Sequence, residues 1–209
     1  MGIDLVLFDL DDVLVAYSHE VRCRTLAERI GSDPGAVHAA LFVSGLETEA
    51  DLGRIDAATQ ARRLSDALGL TVALEDCVAA RAASMTPDLA LLGIVDALSR
   101  RCRLAILTNN GFLVRDHFAT LCPPFARYFD GHVHCSAMYG LSKPAPEVFR
   151  RCATALDTSP ARTLFIDDKP ENAGGAERAG MLGHHYRDRA GLHAALTGYG
   201  LLEPHDHAS

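Results

Sequence analysis

The sequence predicts an α/β fold, a parallel sheet covered by helices, with a small helical unit inserted after the first strand. Three observations carry this. Short apolar runs recur at 3–8 (IDLVLF), 103–107 (RLAIL) and 163–166 (TLFI), the pattern of strands buried on both faces. Helix-length segments separate the later runs, and alternation of strand and helix implies parallel strands joined by right-handed crossovers. Residues 16–86 break that rhythm, carrying helical periodicity and no convincing strand.

Taken in order, 3–8 is the first, central strand. Within 16–86, Cys23, Leu26, Ala27 and Ile30 share one helix face with Gly31 as the stop, and Ala57, Ala61, Leu64 and Leu68 share another with Gly69 as the stop. A third helix is expected over 75–84. A helix over 87–100 is expected to start at Thr86-Pro87, a cap and first-turn pair. Strands follow at 103–107 and 132–136 (HVHCS), and a helix over 144–156 opens with Pro-Ala-Pro-Glu. The strand at 163–166 leads to a helix over 172–180 ending at Gly180, and 183–186 is a weaker final strand. Residues 1–15 and 87–209 would form the core domain and 16–86 a cap domain closing over its site. The polar tail EPHDHAS is expected to fray.

The 209 residues are 48% hydrophobic and 22% charged, ordinary for a soluble globular chain with a real core. A net charge of −7 offers no basic surface for nucleic acid or anionic lipid, so neither is an expected partner. No run of 18 apolar residues and no signal-peptide pattern is seen, which points to the cytoplasm. The six cysteines form no CxxC pair and read as buried reduced thiols. Of 20 basic residues 18 are arginine; the two lysines, Lys143 and Lys169, both fall near candidate site residues. There is no internal repeat or low-complexity linker, and oligomeric state is not legible.

In an open parallel sheet, ligands sit beyond the carboxyl ends of the strands. Asp9, Asp11 and Asp12 stand there after the first strand, and Asp167 and Asp168 after the 163–166 strand. If the extended run persists, Asp9 and Asp11 share one side and Asp12 points away as a structural residue. Two such carboxylates repel one another and need a cation, and hard oxygens select Mg²⁺. Were the two strands neighbours, four carboxylates would converge, enough for Mg²⁺ with one left for chemistry. Thr108-Asn109-Asn110-Gly111 offers a hydroxyl, an amide and main-chain N–H groups suited to phosphate oxygens, although the same tetrapeptide is an ordinary turn. Lys143, on a loop at a helix start, would offset negative charge beside them. Neighbouring His184 and His185 point to opposite faces of a strand and His205 and His207 lie in the tail, so no histidine is read as a metal ligand.

Four segments in order, FDLDDV, LTNN, SKPAPEVF and FIDDKPEN, resemble the four motifs of the haloacid dehalogenase (HAD) superfamily, over residues 1–15 and about 87–190. The resemblance implies a Rossmann-like three-layer α/β/α core with a helical cap, and a Mg²⁺-dependent phosphatase acting on a small phosphorylated substrate. It makes Asp9 the nucleophile that forms an aspartyl-phosphate and Asp11 the general acid and base. Thr108 and Asn109 would hold phosphate, and Lys143 would bind nucleophile and phosphate together. Asp168, the Asp9 carboxylate and the Asp11 carbonyl would be the Mg²⁺ set, with Asp167 an additional or water-mediated ligand. The commoner fourth motif has a second acid where this chain has Asn172, which is therefore given a supporting role.

Family membership alone does not fix the reaction. The dehalogenases need no metal and lack an acid at the place of Asp11. The phosphonatases use a cap lysine, and residues 16–86 contain none. A phosphomutase of the beta-phosphoglucomutase kind shares the motifs and stays open, as does a non-catalytic scaffold. GLETEADLGRID (45–56) with the third and fourth motifs looks most like the branch of alpha-D-glucose-1-phosphate phosphatase and the epoxide-hydrolase N-terminal phosphatase, which favours a sugar phosphate. Glu47, Glu49, Asp51 and Arg54 could face the substrate, or could belong to a solvated helix connection.

Overall fold

The computed structural model describes residues 2–203; the tail histidines His205 and His207 lie outside the described residues. The chain opens with β1 (Leu5–Phe8), turns, and forms β2 (Val15–Tyr17). Five helices follow: α1 (His19–Ile30), α2 (Pro34–His38), α3 (Leu46–Asp51), α4 (Ala57–Leu68) and α5 (Leu74–Ala83), with one π-helical turn at Ala39–Val43. β3 (Met85–Pro87) returns antiparallel to β2. Then come α6 (Leu92–Ser99), β4 (Arg103–Thr108), α7 (Phe112–Leu121), α8 (Pro123–Phe129), β5 (Val133–Cys135) and α9 (Pro146–Ala155). β6 (Thr163–Asp167), α10 (Pro170–Arg178), β7 (Leu182–His185) and α11 (Arg189–Gly198) complete it.

The main sheet is parallel throughout, in the order β5-β4-β1-β6-β7. Phe8, the last residue of β1, pairs with Ile106 on one side and Ile166 on the other, so β4 runs on past it to Thr108 and β6 to Asp167. Side-chain alternation sends Val6, Phe8, Ile106 and Ile166 to one face, packed among Val95, Phe118, Phe125 and Leu192 of the helices there. Leu5, Leu7, Leu107 and Phe165 go to the other, against Val148, Phe149 and Ala176 of α9 and α10. Burial on both faces is why these strands read as unbroken apolar runs. Among the described residues, no helix is long and apolar enough to cross a membrane. All six cysteines are unpaired, and five are buried.

α1, α4 and α5 fall where the sequence signals helices, whereas α2 and α3 are not among those expected from it. Ser18 caps α1 by accepting from Val21 N at 3.2 Å, and Asp56 caps α4 by accepting from Thr59 N at 2.7 Å; Gly31 and Gly69 close them with left-handed backbones. Thr86-Pro87 does not start a helix. Both belong to β3, because a residue before proline is pushed toward extended backbone. Asp88 is the cap that follows, accepting from Ala90 N at 3.1 Å. Gly53, at φ +69°, lets the insertion touch the core: a Cβ there would lie 2.0 Å from the Ala137 carbonyl oxygen.

Candidate active site

β1 ends at Phe8, and the main chain then turns, with Asp12 at φ +62° and both Leu14 N and Val15 N donating to Leu10 O. The turn proper occupies residues 12–14, and Asp11 just ahead of it still bridges to Val15. Asp12 borders the same cavity as Asp11, and its Oδ1 accepts from Tyr17 N at 3.4 Å.

Asp9 is buried and fixed. Its N–H donates to Ile166 O at 2.8 Å, and its Oδ1 accepts from Leu10 N at 2.7 Å and faces Lys143 Nζ at 2.9 Å. Burial pushes its carboxyl up to about 7, with Lys143 opposing and Asp167 and Asp11 adding to the rise. Lys143 is also buried and lies 2.6 Å from Asp167 Oδ2. Burial would lower the ammonium, but Asp9 and Asp167 outweigh it and hold Lys143 above its ordinary range. The loop bearing Lys143 is clamped twice. Asn109 Nδ2 donates to Lys143 O at 3.0 Å and Asn109 Oδ1 accepts from Lys143 N at 2.9 Å, while Gly175 lets α10 approach so closely that a Cβ would lie 2.4 Å from Pro144 O.

Asp167 is fully buried and saturated. Lys143 Nζ, Lys169 N and Asn172 Nδ2 all donate to it, the last reaching both oxygens at 3.0 and 3.1 Å. Asp168 differs: its Oδ1 is buried with no hydrogen-bond partner among the described residues, and burial, then Asp167, pushes the carboxyl up. Asp9, Asp167 and Asp168 each present an oxygen within 4.8 Å of the others. An orphaned carboxylate oxygen beside two more hard oxygens fits a magnesium ion. The expected convergence of four carboxylates becomes three, because the Asp11 carboxylate is turned elsewhere.

Arg81 on α5 takes Asp11 instead. Its Nη2 donates to Asp11 Oδ1 and Oδ2 at 2.8 and 2.7 Å, while Asn110 Nδ2 donates to Asp11 Oδ2 at 3.0 Å. Asn110 Nδ2 also donates to Thr108 Oγ1 at 2.8 Å. A hydroxyl that accepts one bond still has a hydrogen to donate, and Thr108 Oγ1 retains that capacity. The Asn109 side chain, read from the sequence as a phosphate-holding amide, is committed to the main chain of Lys143. Sequence reading overlooked Arg81 and gave Asn110 no individual role. An arginine inside Ala-Ala-Arg-Ala-Ala was the available signal, since such a helix stretch is otherwise apolar.

A cavity of about 300 Å³ opens over this network, lined on the insertion's side by Tyr17, His19, Phe42, Glu47 and Asp51. Glu47 is held by Arg22, with a 3.0 Å contact from Nη2, and by Gln60 Nε2 at 2.7 Å. Burial, with Glu47 adding, raises the Asp51 carboxyl to about 8, against Arg22 and Arg81. Glu49 pairs with Arg63 and Arg54 is exposed; neither lines the cavity. His184 and His185 sit on edge strand β7.

Acids and a buried lysine gathered at the carboxyl ends of parallel strands are the site architecture of an α/β enzyme. A model of the haloacid dehalogenase-like hydrolases matches residues 3–180, and the chain belongs to that family. A sesquiterpene phosphatase, astK of Aspergillus oryzae, is 43% identical over 60 residues, which is 29% of this chain and 30% of that protein. The match thus spans under a third of its length. Among solved structures, a HAD-like family hydrolase from Porphyromonas gingivalis is 25% identical with a TM-score of 0.73, over 95% of this chain and 98% of that one. A HAD family enzyme from Bacteroides thetaiotaomicron, in complex with magnesium and inorganic phosphate, has a TM-score of 0.75 at 20% identity, over 91% and 99%.

Proposed function

We propose that the protein is a Mg²⁺-dependent phosphatase that hydrolyses a small phosphomonoester through an aspartyl-phosphate on Asp9. The observation that supports this best is Lys143, buried between Asp9 and Asp167 and beside an Asp168 oxygen that lacks a partner. In this reading Asp9 and Asp168, with the Asp11 carbonyl, hold the metal, and Asp167 and Asn172 keep Lys143 and the acids in place. Mg²⁺, when bound, supplies positive charge against the phosphate oxygens.

Asp9 Oδ attacks phosphorus in line with the ester oxygen, held rigid by its own main-chain bond to Ile166 and by Leu10 N. Lys143 and the Thr108 hydroxyl hold the phosphoryl oxygens as charge shifts onto them. Asp11 gives its proton to the departing oxygen, then takes one from the water that cleaves the intermediate. Residues 16–86 act as the cap over a core of 1–15 and 87–209, and the unpaired cysteines suit a reducing, cytoplasmic setting.

A sugar phosphate is the favoured substrate, since Asp51, Glu47 and Thr48 line the cavity with groups that bond hydroxyls. A second reading, a phosphate ester of an apolar alcohol, is favoured by the His19–Phe42 stack at 4.4 Å on the same wall and by the likeness to a sesquiterpene phosphatase. The test is Mg²⁺-dependent phosphate release from sugar phosphates, a prenyl phosphate, nucleotides and an aryl phosphate, beside Asp9→Asn. Release by the wild type alone supports the phosphatase, and the fastest ester names the class. Phosphorylation of Asp9 without release would mean a mutase; neither would mean a scaffold.

A further inference from the structure

Arg81 comes from the insertion and not from the sheet and its loops, which carry Asp9, Lys143 and Asp168, and it is one of the most deeply buried side chains in the molecule, at 1% exposure. Its guanidinium lies 3.9 Å from the centre of the Tyr17 ring, its Nη2 reaches both Asp11 oxygens and Asn110 Oδ1 at 3.1 Å, and its Nε has no partner among the described residues. A buried arginine–carboxylate pair adds little net stability, because desolvation offsets the attraction. What the pair does provide is orientation. Asp11 lies beyond the end of β1, held to the main chain by a single isolated bridge to Val15 just ahead of the turn at 12–14; the groups that aim its side chain are Arg81 on one side and Asn110 on the other. The chain of contacts Thr108–Asn110–Asp11–Arg81 links the end of β4 to α5 of the insertion.

We propose that Arg81 is a positioning residue that aims Asp11 at the leaving oxygen, so that the proton-transfer step depends on contact between the inserted helices and the sheet. This rests on the phosphatase reading. In the first step the Asp9 Oδ–P bond forms, the ester P–O bond breaks, and the electron pair of that bond takes the Asp11 proton. In the second, water adds its oxygen to phosphorus, Asp9 leaves as a carboxylate, and Asp11 accepts the proton that water loses. An alkyl alkoxide needs the proton in order to depart, whereas a nitrophenolate leaves without it.

The test compares kcat/KM, which reports the first step, for an alkyl phosphate and for p-nitrophenyl phosphate in wild type, Arg81→Met and Arg81→Lys. Arg81→Met should lose about 100-fold on the alkyl ester, the scale of a general acid's contribution, and less than about 5-fold on the aryl ester. Arg81→Lys keeps the charge but not the planar guanidinium, and should recover part of the alkyl rate; it carries the comparison alone if the methionine variant does not fold. In an Asp11→Asn background, Arg81→Met should cost almost nothing more. Equal losses on both esters, or full additivity with Asp11→Asn, would overturn the inference alone. No wild-type turnover of either ester would overturn the phosphatase reading, and the inference with it.

Discussion

Lys143 Nζ lies 2.6 Å from Asp167 Oδ2 and both side chains are almost wholly shielded from solvent. The same ammonium faces Asp9 at 2.9 Å, so one cation balances two buried acids. Lys143→Met would leave those acids facing each other. Removing one partner of a buried pair costs about 3 kcal/mol, which for a chain of this length is roughly 6–12 °C in Tm. Thermal unfolding without metal checks this, and an unchanged Tm would mean that Asp9 and Asp167 do not depend on the lysine.

Asp168 should behave in the opposite way. Its Oδ1 is buried without a partner, so Asp168→Asn should leave the metal-free Tm unchanged or slightly higher. Magnesium at about 100 times its Kd should stabilise the wild type by about 2.7 kcal/mol, and the variant should lose most of that shift. A full magnesium shift in Asp168→Asn would remove Asp168 from the metal set.

Asn172 reaches both Asp167 oxygens with one amide nitrogen. Asn172→Asp gives the acid that the commoner motif carries, but here it deletes a donor and sets a third acid beside Asp167. Losing a hydrogen bond to a charged group costs about 2 kcal/mol, so the metal-free Tm should fall by roughly 4–8 °C. No fall would show that Lys143 and Lys169 N hold Asp167 unaided.

The parts of the site that the sequence discloses are those fixed by the ends of buried strands. Asp9, Thr108 and Asp167 follow apolar runs, and a parallel sheet gathers such ends whatever the rest does. Whether β1 and β6 are neighbours depends on strand order, which no local pattern encodes, and the convergence of Asp9 with Asp167 waited on it. The Asp11 carboxylate leaves the acid cluster for Arg81, which strand alternation cannot announce. β2 and β3, at three residues each, are too short to show a period and were hidden within helical surroundings. Arg81 lies 70 residues from the carboxylate it holds, so only the folded chain pairs them.

Asp51 links the cavity's electrostatics to pH. Burial and then Glu47 raise its carboxyl to about 8, against the opposing Arg22 and Arg81, whereas in the unfolded chain it titrates near 4. Between these values the folded protein keeps a proton that the unfolded chain has released, so each rise in pH favours unfolding. The contribution is fully present below about pH 4 and is lost as pH rises through about 8. Asn at this position does not titrate, and other groups cancel when the two proteins are compared. The Tm of Asp51→Asn minus that of wild type should therefore grow from pH 5 to 8 by about 3 °C or more, the equivalent of about 1 kcal/mol, and stay level above it. A difference that is flat across pH 5–9, or that narrows, would show that Asp51 is ionised in the folded protein at neutral pH and carries negative charge into the substrate cavity.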